Sequence, residues 1–162
     1  MKSLHHVILL ALFATWFGGF TFYTAIVVPI GTDVLGSSRT QGFITQQVTN
    51  RLNFIGGFSI LMMLIDLFYC RQIRSKAFTI WFGVTIAGIA ILWCILLLVH
   101  PMLDALLQPE HEHVLNDERF YFLHRIYLWT STIQWLLCWM WLVLYARSIG
   151  PKSKIQTAIK SR

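Results

Sequence analysis

The chain has 162 residues, of which 56% are hydrophobic, 15% aromatic and 12% charged, with a formal net charge of +6. A soluble domain carries roughly 25% charged residues, so half that fraction at a mean hydropathy of +0.62 cannot cover a water-facing surface. The positive charge does not point to nucleic acid, because Lys and Arg stand in short clusters beside apolar runs, as the positive-inside rule expects, and form no basic stripe in a polar region.

A helix needs ~20 apolar residues to cross a bilayer core, and four runs approach that length. The first covers about 7–29. Lys2 before it resembles the start of a signal peptide, but no A-x-A-like site follows, so it is expected to stay as a first helix, broken by Pro29 and Gly31. The second covers about 54–70. Ser37 and Ser38 are a plausible N-cap, so this helix is expected to start outside the bilayer, near residue 38, and to run to about Arg71. A separate amphipathic helix lying on the membrane is the alternative. The third covers about 78–99 and is expected to end at His100-Pro101. The fourth covers about 122–146, before the breaker Gly150-Pro151, and a basic tail follows over 151–162. Hydrocarbon leaves no partner for unpaired backbone groups, and period-2 alternation is missing, so helices rather than a barrel are expected.

Lys and Arg counts set the orientation. Lys2, the second loop (Arg71, Arg74, Lys76) and the tail (Arg147, Lys152, Lys154, Lys160, Arg162) are basic and free of acids. The third loop mixes Arg119 with Asp104, Glu110, Glu112, Asp117 and Glu118. The fold class is therefore all-α: an integral membrane four-helix bundle, up-down-up-down, with both termini cytoplasmic, in a single domain over 1–150. The localisation expected is a multi-pass protein of the bacterial inner membrane. Trp139, Trp141 and Tyr145 stand where an aromatic belt is expected at the cytoplasmic end of the last span. Cys70, Cys94 and Cys138 lie in apolar runs and read as small hydrophobes, not a disulfide framework.

Ionisable and polar groups within spans are the functional candidates. Asp66 is the one acid in the four runs, expected near the cytoplasmic boundary and paired with Arg71 or Arg74 or reaching water; a proton relay is the sharper alternative. Asn50, Asn53 and Gly57 fall on one helix face and, with Asp66, suggest a polar bundle lining. Gly18, Gly19, Gly56 and Gly57 suggest close helix packing. His100 and His124, at the outer ends of the third and fourth spans, flank a loop carrying Asp104, His111, Glu112 and His113. Imidazole and carboxylate are ligands for transition metals, so His100, Asp104 and His124, with His111 and His113 behind them, are candidate metal ligands. His100 and His124 are also candidate axial ligands for haem. The alternative is a structural His124 hydrogen-bonded to Asp104 or a loop carbonyl. No nucleophile arrangement or phosphate-cradling loop occurs, so catalysis is not expected.

The run Leu4-His5-His6, then Trp16-Phe17-Gly18-Gly19, Val27-Val28-Pro29, Gly42, Asn53, Phe120 and Leu123-His124 resembles the transmembrane protein 205-like family, whose bacterial members carry a domain-of-unknown-function label. The resemblance covers residues 4–147, and the matching positions are Trp16, Gly18, Gly19, Pro29, Asn53 and His124. It implies a four-helix membrane fold and no established reaction. The membrane domain of copper-resistance D-type proteins is a more distant likeness and lends weak support to metal.

The expected function is non-enzymatic binding of a small ligand, lipid or partner subunit within the bundle. The alternatives are a metal- or haem-binding redox or metal-handling protein and an accessory subunit of a larger membrane complex. The expected partners are the bilayer and a membrane protein or a second copy of the chain, not nucleic acid.

Overall fold

The structure, a computed structural model, describes residues 2–70, 75–108, 113–114 and 116–149, with backbone alone at 2, 3, 70, 107, 108, 113 and 114. These residues form four long helices and a two-residue antiparallel strand pair, β1 Leu107–Gln108 and β2 His113–Val114, in the third loop. The helices are α1 (residues 2–35), α2 (Ser38–Cys70), α3 (Lys76–Asp104) and α4 (Asp117–Ile149). Each is long and apolar enough to cross a membrane. Their outer faces carry large bare side chains such as Phe54, Phe68, Trp81, Leu98 and Trp129, a surface that suits lipid and not water.

Two prolines that were expected to end helices do not. In α1, the helical segments Lys2–Phe13, Gly19–Phe22 and Val28–Leu35 are joined by π-helical stretches at Ala14–Gly18 and Tyr23–Val27. Pro29 has no N–H to give to a carbonyl one turn back. The turn before it widens instead, and Val28 N–H bonds to Tyr23 O, five residues away. The helix therefore passes Pro29 and Gly31 and ends at Gly36, in the left-handed conformation (φ 63°) that glycine adopts without steric cost. In α3, Pro101 lies inside the helix, which continues to Asp104. That extra turn sets Asp104 four residues from His100 on the same face.

The other helix starts follow from local capping. Ser37 Oγ accepts from Thr40 N–H at 3.2 Å, Ser75 Oγ from Phe78 N–H at 3.3 Å and Asn116 Oδ1 from Arg119 N–H at 2.9 Å. Asp117 and Glu118 add negative charge to the first turn of α4, where the helix dipole favours it. The long α2 from Ser38 matches the expectation from its cap. The fourth helix starts about five residues before the apolar run, because the cap and not hydropathy decides its first turn.

The main core gathers Leu9, Phe13 and Trp16 of α1, Ile60 and Met63 of α2, Phe82, Ile86 and Ile89 of α3, and Cys138, Trp141 and Tyr145 of α4. Trp141 stacks on Tyr145 and packs against Phe13. Both Trp141 and Tyr145 are fully buried, so they belong to the core and not to an aromatic belt; Trp139 is exposed. Cys138 is buried and Cys94 exposed. A smaller apolar group, Val99, Leu103 and Leu123, holds α3 to α4 near the third loop.

Glycines set two of the close helix approaches. A Cβ on Gly56 would lie 2.7 Å from the Trp16 indole, and one on Gly57 would lie 2.9 Å from Trp93. Gly19 sits 3.1 Å, on the same measure, from Leu52. Gly18 meets nothing within 4 Å, so it does not set a helix approach and departs from the packing role expected of it.

Candidate functional site

Between the main core and the third loop, the bundle opens into a cavity of about 640 Å³. Its walls come from all four helices. Hydroxyls of Thr21, Thr24, Thr32, Thr45, Thr49, Ser131 and Thr132 line it together with Gln41, Gln46, His100, Asp104, His124 and Tyr127. Phe20, Val28, Leu103, Phe120, Leu128 and Trp135 supply apolar wall. Mixed walls of this kind suit a ligand with a polar end and an apolar body.

The sequence spacing explains the polar wall. Gln41, Thr45 and Thr49 stand at i, i+4 and i+8 on α2 and so share one face. They form a chain of bonds with α1. Gln41 Nε2 donates to Tyr23 Oη at 3.2 Å, Tyr23 O–H donates to Thr45 Oγ1 at 3.1 Å, and Thr45 O–H donates to Gln41 O at 2.9 Å. Every link has one donor and one acceptor. Gln41 is 2% exposed, and its Oε1 has no hydrogen-bond partner among the described residues.

At the far wall, His100 bridges two helices. Its Nδ1 lies 2.9 Å from Asp104 Oδ2, and its Nε2 lies 3.1 Å from Thr49 Oγ1. A carboxylate only accepts, so Nδ1 carries the proton. Tyr127 meets the His100 ring edge-on at 6.1 Å. His124 stacks on Phe120 with ring centres 5.7 Å apart. Asp104 thus pairs with His100, not with His124 as the structural alternative held.

The cavity has a floor and an exposed side. Trp135 Nε1 donates to Thr21 Oγ1 at 3.0 Å, and Phe17 packs on Trp135 and Trp139. Beyond that bond, toward Phe120, α1 and α4 share no side-chain hydrogen bond among the described residues. Thr24 and Ala25 of α1 and Leu128 and Thr132 of α4 line the cavity and are exposed. The exposed part of the lining thus includes residues of α1 and α4 on either side of the gap between these two helices.

The expected site residues fare differently. His100, Asp104 and His124 come together on one cavity. Both ring nitrogens of His100 are engaged, however, so serving as a metal or haem ligand would first require release from Thr49 or Asp104. Among the described residues, no group of three or more His, Cys, Asp or Glu side chains is arranged to hold an ion. His111 and the side chain of His113 lie outside the described residues. Asn53 is buried in the bundle, and its carbonyl accepts from Trp93 Nε1 at 2.9 Å. Asn50 is exposed and is no part of a bundle lining, because it lies about a quarter-turn from Asn53 and Thr49 on the outward face of α2.

Asp66 belongs to a different cluster. It is fully buried, not set at a wet boundary, and its Oδ1 lies 3.6 Å from His5 Nε2 and 3.9 Å from His6 Nδ1. His6 Nδ1 and the Tyr145 hydroxyl are hydrogen-bonded at 2.7 Å. Its expected partners Arg71 and Arg74 lie outside the described residues. His5 and His6 were not singled out as site residues from the sequence, because two histidines ahead of an apolar run read as a polar flank. The one available signal was the presence of a buried acid that needed neutralising groups.

No family model, no curated protein and no solved structure matches the chain.

Proposed function

We propose that the chain is a non-enzymatic, multi-pass membrane protein that holds an amphipathic small molecule in the cavity between α1 and α4. One observation carries this reading: a cavity of about 640 Å³, apolar over most of its wall with hydroxyls, Gln41, His100 and Asp104 set into it, is flanked by exposed residues of α1 and α4. A polar head would sit against α2 and α3, and an apolar body would leave through the gap beside Ala25 and Leu128. The polar groups at the core of a membrane bundle are costly unless bonded. Most of these are bonded, either to one another or to backbone carbonyls of their own helices.

The proposed topology is up-down-up-down with both termini and the second loop cytoplasmic. Basic residues at Lys2, Arg71, Arg74, Lys76 and Arg147 support it, as does the meeting of His6 near the start of α1 with Tyr145 near the end of α4. In a background without native cysteines, an impermeant thiol reagent added to intact cells is expected to label Asn116→Cys and to spare Ala77→Cys. The opposite pattern would reverse the orientation. Membership of the transmembrane protein 205-like family is likewise proposed; buried Trp16 and Asn53 and the cavity residue His124 are roles that fit its pattern.

The binding reading is tested with a cavity-filling variant. Gly42 lines the cavity, and a Cβ there meets nothing within 4 Å. Gly42→Leu is therefore expected to fill space without a backbone clash, and to hold stability within about 1 kcal/mol, helped by better helix propensity. Native mass spectrometry of gently purified protein should show a small-molecule adduct on the wild type and none on Gly42→Leu. Identical adducts on both would place any ligand elsewhere.

A further inference from the structure

We infer that the ligand carries a protonated amine: the cavity selects an organic ammonium with an apolar tail over neutral or anionic amphiphiles. This rests on the ligand-site reading above and adds the chemical class.

The argument is a count of donors and acceptors. A hydroxyl has one proton to give and two lone pairs to offer. Along the cavity those protons are already given to the helices' own carbonyls. Thr24 donates to Phe20 O at 2.9 Å, Thr32 to Val28 O at 2.9 Å, Ser131 to Tyr127 O at 2.6 Å and Thr132 to Leu128 O at 2.8 Å. These side chains present oxygen lone pairs to the cavity. Gln41 gives one amide N–H to Tyr23, and its Oε1 is buried against Gly31, so it adds no open acceptor to the wall. The indole N–H of Trp135 is also used, on Thr21.

Charge points the same way. Among the described residues, no Lys or Arg lines the cavity. Asp104 does, with its side chain 33% exposed and its Oδ2 on His100; among the described residues no donor approaches its Oδ1. The side chains of Ser38, Gln46 and His124 on the lining carry both donor and acceptor atoms and so favour neither class. An ammonium brings three donors and no acceptor, the complement of this wall. A carboxylate or phosphate would face lone pairs and a carboxylate in a low-dielectric site, with few donors to replace its water. The aromatic rings of Phe120 and Tyr127 on the lining offer π faces to a cation.

The test uses three eight-carbon probes on the full chain in lipid nanodiscs at neutral pH: octylammonium, octanol and octanoate, titrated by calorimetry. Binding to Gly42→Leu is subtracted as the contribution of bilayer and surface. Octylammonium is expected to bind roughly ten-fold tighter than the other two, the scale of one charge-assisted bond or cation–π contact. Asp104→Asn is expected to remove the preference and Asp104→Glu to keep it. Should Asp104→Asn not fold, the ranking on the wild type decides alone. Equal cavity binding of all three probes overturns the ammonium inference and leaves the ligand site standing. Absence of cavity binding by any probe removes both.

Discussion

Replacing Gly56 by leucine is expected to destabilise the bundle by on the order of 3 kcal/mol, the upper range for overpacking a filled core. A single Cβ at this position would lie 2.7 Å from both Cε2 and Nε1 of Trp16, and leucine adds three more carbons. The indole has little room to retreat, because Trp16 is 5% exposed and belongs to the main core with Phe13, Ile60 and Met63. The helices would have to part. In a membrane that loss is serious, because lipid tails offer no hydrophobic drive to push helices back together and contact itself holds them. Two controls make the result specific. Gly18→Ala, whose Cβ meets nothing within 4 Å, is expected to melt with the wild type in detergent. Gly31→Ala meets the end of the Gln41 side chain, which can swing aside more readily than an indole, so a smaller loss is expected. A Gly56→Leu protein that melts with the wild type would show that α1 and α2 do not meet at this point.

Removing the Asp66 carboxylate is expected to cost a comparable amount. An acid costs roughly 2.5–3.5 kcal/mol at the centre of a membrane helix on insertion scales and less toward its ends; Asp66 stands near the end of α2 but is fully buried, so its presence there implies compensation by neighbours. His5 and His6 are the nearby groups on α1, and His6 is joined in turn to Tyr145 of α4. Breaking a fully buried pair from one side is worth about 3–5 kcal/mol, and here His5 and His6 are 22% and 33% exposed, so water offsets part of that loss. Asp66→Ala is expected to fall near the low end of that range in thermal melts, and Asp66→Asn, which keeps shape and some hydrogen bonding, to lose less. Asp104→Ala is expected to lose less than Asp66→Ala, because Asp104 is one-third exposed and water replaces part of what is lost. If Asp66→Ala is as stable as the wild type, the carboxylate does not tie the helix ends together.

The four helices were legible in the sequence because apolar length is a strong signal and little else produces it. Their ends were less so. Ser37 gave the start of α2 correctly, since a cap is a local feature. Pro29 and Pro101 misled, since whether a proline ends a helix depends on where the freed carbonyl finds a partner. At Pro29 a widened turn absorbs the loss, and Pro101 stands near the helix end, where only one more turn depends on it. The site was half legible. His100, Asp104 and His124 drew attention as ionisable groups at one level of the bundle, but their partners did not. His100 joins Thr49 across 51 positions, and no local spacing encodes that. The Gln41, Thr45, Thr49 periodicity on α2 was the available clue to the cavity. It was overlooked because threonine and glutamine in a helix also read as a plain polar approach to the membrane. Asp66 was noticed, but its neighbours were sought close in sequence, at Arg71 and Arg74, whereas His5 and His6 lie about sixty positions away on another helix.

The most direct measurement is a crystal structure of the chain grown in a lipid mesophase, read at the gap between α1 and α4. The account predicts non-protein density in the cavity, with a polar end near Asp104 and Gln41 and a tail leaving beside Ala25 and Leu128. Helices α1 and α4 closed upon each other from Trp135 to Phe120, with no space between them, would contradict it.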